Sequence, residues 1–94
     1  MFDLAKLMLT LRIDEVFSLK QKRSIIKQIK THVISAYNAC IAESHDQDSL
    51  RYIGITIGLL SKNEVTLRSQ MMKIIQEVEF ISEGFVEKDE IEII

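Results

Sequence analysis

The sequence predicts an α+β domain whose elements follow the order β-α-β-β-α-β. Three observations lead there. Apolar residues alternate with period 2 near the N-terminus and again past the middle of the chain. After each of these strands, apolar residues recur at helical spacing behind a capping sequence. A polar break, Ser44-His45-Asp46-Gln47-Asp48-Ser49, separates two short extended segments and reads as a hairpin-joining loop.

From Leu4 to Ile13, residues Leu7, Leu9, Leu11 and Ile13 point one way and Lys6, Met8, Thr10 and Arg12 the other, as in a half-buried strand. Ser18-Leu19-Lys20-Gln21 has the form of a capping box, with the Ser18 oxygen set to accept from the Gln21 amide and the Gln21 side chain set to reach back. Ile25, Ile26, Ile29, Val33 and Ala36 then predict a helix from Leu19 to Ala36, with no Gly or Pro inside it. Asn38 to Glu43 is expected as the second strand. Arg51 to Leu60 is expected as the third, with Ile53, Ile55, Ile57 and Leu59 facing the core. Ser61-Lys62-Asn63-Glu64 reads as a second capping box, and Leu60 with Val65 has the spacing of a hydrophobic staple. The helix that follows buries Leu67, Met71, Ile74, Ile75, Val78 and Ile81; Gly84 is placed to end it or its following loop, and Phe85 to Ile94 forms the fourth strand. Two βαβ crossovers around a central hairpin give the ferredoxin-like sandwich: a four-stranded antiparallel sheet with both helices on one face. Residues 1–94 are expected to make a single such domain.

Composition bounds the function. Hydrophobic residues at 47% and charged residues at 28% match ordinary globular chains and exclude disorder. The apolar stretches are broken by Lys6, Arg12, Gly54, Thr56 and Gly58, so no segment reaches the length of a membrane span. No secretory signal opens the chain, and the single Cys40 fits a reducing cytoplasm. No sequence motif names a reaction or a cofactor, so a non-enzymatic role is expected. The net charge of −2 conceals a dipole: Val16 to Ala42 holds no acidic residue, whereas every charged residue from Glu77 to Glu92 is acidic, Lys88 excepted.

The run Ser18-Leu19-Lys20-Gln21-Lys22-Arg23 resembles the Ser-Leu-Lys-x-Lys-Arg signature of the YlxP-like family of small bacterial proteins. Tyr37-Asn38, Ala42-Glu43, Gln47-Asp48, Leu60-Ser61 and the closing Glu90-Ile91-Glu92-Ile93 are similar to further family features in the same order, while Cys40 stands where a Ser is common. The resemblance implies a ferredoxin-like fold and a gene neighbourhood tied to translation and ribosome maturation. It implies no catalytic residues.

Lys20, Arg23, Lys27 and Lys30 fall within about 80° of one another on a helical wheel, roughly 140° from the apolar centre. Four aligned cations with no carboxylate among them make a ridge suited to a phosphate backbone, and RNA helices are read largely through phosphates and 2′-hydroxyls. The plainer alternative is the solvated face of an amphipathic helix. Lys22 falls on the apolar side, where its ammonium must snorkel, meet an anion, or lie with its stem over Phe17. The expected nucleic-acid or anion-binding set is therefore Lys20, Lys22, Arg23, Lys27 and Lys30. Ribosomal RNA or a ribosomal subunit is the expected partner.

Glu43, His45, Asp46 and Asp48 crowd one hairpin, but their spacing matches no zinc or calcium loop, so they are read as turn residues and no metal is expected. Cys40 is read as a buried small hydrophobe. The uncovered sheet face lacks the paired aromatics of an RNA-recognition motif: Tyr52 stands alone among Gly54, Thr56 and Gly58. So flat a surface admits a second sheet, although the glycines equally suit close backbone approach within one chain, and a homodimeric interaction module built on this face is the alternative function.

Overall fold

A computed structural model describes residues 2–94. Its elements are β1 (Asp3–Arg12), α1 (Leu19–Tyr37), β2 (Cys40–His45), β3 (Tyr52–Ser61), α2 (Glu64–Ser82) and β4 (Phe85–Ile93). The strands form one antiparallel sheet in the order β2-β3-β1-β4, which is the ferredoxin-like arrangement. β1 and β3 are central, and β2 and β4 are the edges. No helix among the described residues is long and apolar enough to cross a membrane.

Alternation puts Leu7, Leu9, Leu11, Ile53, Ile55, Ile57 and Leu59 on the face beneath the helices, all fully buried. Ile26, Ile29 and Val33 of α1, with Leu67, Met71, Ile74 and Val78 of α2, close over them into one core. The central strands supply almost continuous Ile and Leu on that face because both helices rest there, α1 over β2 and β3, and α2 over β1, β3 and β4.

The ends of the elements show where local chemistry departs from the sequence expectations. Ser18 caps α1 and accepts from the Gln21 amide at 3.1 Å, but the Gln21 side chain reaches past it to the Phe17 amide at 2.8 Å. α1 ends on Asn38, which is left-handed (φ 52°) and donates to the Ile34 carbonyl. The second strand therefore starts at Cys40 rather than at Asn38. α2 is capped by Asn63, whose Oδ1 accepts from the Thr66 amide at 2.8 Å, and not by Ser61, which is still paired with Asp3 in the sheet. That shift of frame dissolves the expected staple: Leu60 and Val65 are both well exposed. Glu83, with φ 57°, takes the left-handed position after α2, and Gly84 ends the short loop before β4 rather than the helix. Gly84 answers to a different demand, because a Cβ there would lie 2.2 Å from the Arg12 carbonyl oxygen.

Candidate nucleic-acid interface

The signature run at the start of α1 divides among three tasks. Ser18 caps the helix. Lys20 and Arg23 project into solvent. Lys22 turns inward and is 1% exposed, the most deeply buried charge among the described residues. Its ammonium donates to the carbonyls of Asp46 at 2.6 Å and Ser49 at 2.7 Å, lies 3.4 Å from that of Gln47, and meets Glu43 Oε2 at 3.6 Å. An ammonium has three donors, and these partners satisfy them from inside the protein. Lys22 is therefore no surface contact for phosphate, and its stem does not cover Phe17, which is 81% exposed. It instead gathers the carbonyls of the β2–β3 loop, where Asp46 is left-handed at φ 55°.

The other four cations form the expected ridge. Lys20, Arg23 and Lys27 are exposed and Lys30 is partly so. Arg23 borders a hollow of about 280 Å³ with Leu19, Lys22, Glu43, Gln47 and Asp48, so this flank of α1 stands over the edge strand β2. Ile25 and His32 leave the helix on the opposite flank, where Ile25 borders a hollow with Ser82 and His32 meets Glu77 of α2. Among the described residues, none of the four ridge cations has a carboxylate within ion-pair distance. Lys6, Arg12, Lys22, Arg68 and Lys88 do, whereas Arg51, Lys62 and Lys73, scattered elsewhere, do not. The difference follows from sequence: α1 contains no Asp or Glu to supply an i,i+4 partner, whereas α2 pairs Arg68 with Glu64 in this way. Beside the ridge, Ser24, Gln28, Thr31, His32 and Ser35 line a shallow hollow with Lys27, so hydroxyl and amide groups lie next to one of the cations.

The hairpin residues do not converge. Glu43 points beneath α1 to Lys22. A bulge between Glu43 and His45 brings Ser44 and His45 together onto the uncovered face. There His45 Nε2 pairs with Thr10 Oγ1 at 2.8 Å, His45 Nδ1 with Ser44 Oγ at 2.8 Å, and Thr56 donates to Ser44 Oγ at 2.7 Å. Asp46 and Asp48 stay in solvent. Among the described residues, no three His, Cys, Asp or Glu side chains are grouped as metal ligands.

The uncovered face also differs from the flat surface expected. Gly54 is buried, because the His45 ring lies within 2.4 Å of where its Cβ would be. Cys40 is exposed rather than buried, and its sulfur occupies the space a Gly58 side chain would need. A further cluster lies between the helices: Glu77 accepts from the Tyr37 hydroxyl and pairs with His32 Nε2. Burial, with Glu77 next to it, pushes the Tyr37 hydroxyl up to about 12, and the Tyr37 and His32 hydrogen bonds hold Glu77 below the usual carboxylate range. No residue spacing signals this cluster, since it depends on which flank of α2 faces α1.

The model of one family, "Protein of unknown function (DUF503)", matches residues 4–89. The chain belongs to the DUF503 family. The match runs from β1 into β4 and so takes in every element of the DUF503 fold described above, the basic ridge included. Among curated proteins, none matches this DUF503 chain.

Proposed function

We propose that this DUF503 protein binds structured RNA, in ribosomal RNA or a ribosomal subunit, through Lys20, Arg23, Lys27 and Lys30. The observation that carries the reading is alignment without compensation: four cations share one flank of a helix that contains no carboxylate, and none of them has an ion-pair partner among the described residues. Lys20 and Arg23, like charges near the positive end of the helix dipole, cost a few tenths of a kcal/mol each, a cost that an anionic partner would offset. The YlxP-like resemblance of the Ser18–Arg23 run supports a setting in translation, and with it a cytoplasmic protein. The mode of binding is backbone contact with little sequence preference and no chemical step.

Salt dependence tests this. Four phosphate contacts give a slope of log K against log salt of about −3 to −4. Reversing Arg23 and Lys27 to Glu leaves the fold intact and lowers affinity for structured RNA and ribosomal subunits by about tenfold or more at low salt. Reversing Lys62 and Lys73 makes the same change in net charge away from the ridge and has a much smaller effect. Equal losses in the two variants, or no binding by the wild type at low salt, would sink the reading.

A further inference from the structure

The uncovered sheet face has two unlike ends, and the strand register shows why. Leu4 is opposite Leu60 on one side, and its carbonyl accepts from the Ile94 amide at 2.8 Å on the other, so the three residues form one row across β3, β1 and the end of β4. Their side chains are 64% (Leu60), 43% (Leu4) and 71% (Ile94) exposed. Beside this row the face sinks into a hollow of about 430 Å³, floored by Gly58, Ala42 and Thr56 and bounded by Cys40, Leu4 and Ile94. The hollow exists because Gly58 and Ala42 fall on the face that no helix covers. Toward the other end Met8 lies among polar and charged groups, Thr10, His45, Lys88 and Glu90.

An exposed apolar patch of this kind calls for an occupant, and three features single out a second copy of the chain. A two-fold contact must be self-complementary, each surface both projecting and receiving. This one carries projecting aliphatic side chains and an apolar hollow side by side. Its charges are already balanced in place, Lys6 with Glu92, Lys88 with Glu90 and Arg12 with Glu87, so the face carries no surplus to repel its own copy. Its size lies near the lower bound for such a contact. Four strands about 4.8 Å apart and some eight residues long project an area of about 500 Å². Allowing for side-chain relief, two such faces approach the roughly 1,200 Å² at which stable interfaces begin. Both helices lie on the opposite face, so nothing obstructs a sheet-on-sheet approach at about 10 Å.

We infer that this face is the contact between two copies of the chain, stacked sheet on sheet about a two-fold axis. Leu60 and Ile94 of each copy fill the hollow over Gly58 and Ala42 of the other. The ridge on α1 stays outside the contact, so the dimer does not rest on RNA binding.

Sedimentation velocity of the full chain, from low to high micromolar concentration, tests the inference. The expected species has twice the 10.9 kDa chain mass. Leu60→Glu and Ile94→Asp each place a carboxylate where the contact excludes water, and each weakens dimerisation about tenfold or more. Both positions are exposed in the single chain, so melting of the monomer is unchanged; should either variant misfold, the other decides. Val65→Glu, on the exposed side of α2, is the control and remains dimeric. A wild type that is monomeric throughout, Leu60→Glu and Ile94→Asp dimers as tight as wild type, or equal dissociation by Val65→Glu would each overturn the inference.

Discussion

The ammonium of Lys22 donates to the carbonyl of Asp46 at 2.6 Å across 24 residues of chain. With Ser49 and Glu43 it completes a buried shell that fastens the β2–β3 loop under the first turns of α1. A charge held this way is costly to disturb from one side only, because removing the ammonium leaves converging carbonyls and the Glu43 carboxylate without their partner.

Lys22→Met is accordingly expected to destabilise the protein by about 3 kcal/mol, the low end for a broken buried pair, since Glu43 retains some contact with water. Urea unfolding measures it, read as a lower midpoint at unchanged slope. Lys22→Arg does not restore stability, because a planar guanidinium cannot reproduce three converging ammonium bonds. The variant also separates structure from binding: if Lys22 only fastens the loop, the salt slope for RNA is that of the wild type. A slope reduced by about one would return Lys22 to the ridge.

The cluster of Tyr37, His32 and Glu77 predicts how stability depends on pH. Tyr37 holds its proton more tightly when folded, with its pKa raised from 10.0 to about 12. Its contribution is complete below about pH 10 and is lost as the pH rises from there toward 12. Glu77 is shifted the other way, so its contribution is present above the unfolded carboxylate pKa and is lost as pH falls through the lower folded one. Melting followed across pH should show both edges. Tyr37→Phe should flatten the alkaline edge and Glu77→Gln the acid edge. Because His32 and Glu77 are more than a third exposed, solvent screening keeps the acid effect small. An alkaline edge unchanged in Tyr37→Phe would show that another group causes it.

Gly54 gives a test of the bulge. A Cβ there would meet the His45 carbonyl oxygen at 2.3 Å and the imidazole ring at 2.4 Å, so Gly54→Ala is expected to cost about 1–3 kcal/mol. Adding His45→Ala removes the ring but leaves the carbonyl, so the double variant recovers only part of the loss. Full recovery in thermal melting would mean that the ring alone sets the need for glycine. No recovery would place the whole constraint on the backbone.

The sequence by itself determined the order of the elements, the faces of β1 and β3, the Ser18 cap and the ridge of Lys20, Arg23, Lys27 and Lys30. Each follows from a period of 2 or 3.6 residues or from a bond spanning three residues, and such local regularities are written directly in the chain. Tertiary structure decided what depends on meetings between distant segments. Lys22 looked like one more cation in a basic run until the loop 24 residues on presented its carbonyls. Asn63 displaced Ser61 as a cap because pairing with Asp3 keeps Ser61 in β3. A bulge of one residue carried His45 onto the uncovered face and filled the space over Gly54, while a hollow lies beside Gly58. The partner of Glu77, the exposure of Cys40 and the row of Leu60, Leu4 and Ile94 were equally closed to the sequence. Register and helix rotation are set by the packing of the whole core, and no window of adjacent residues contains that information.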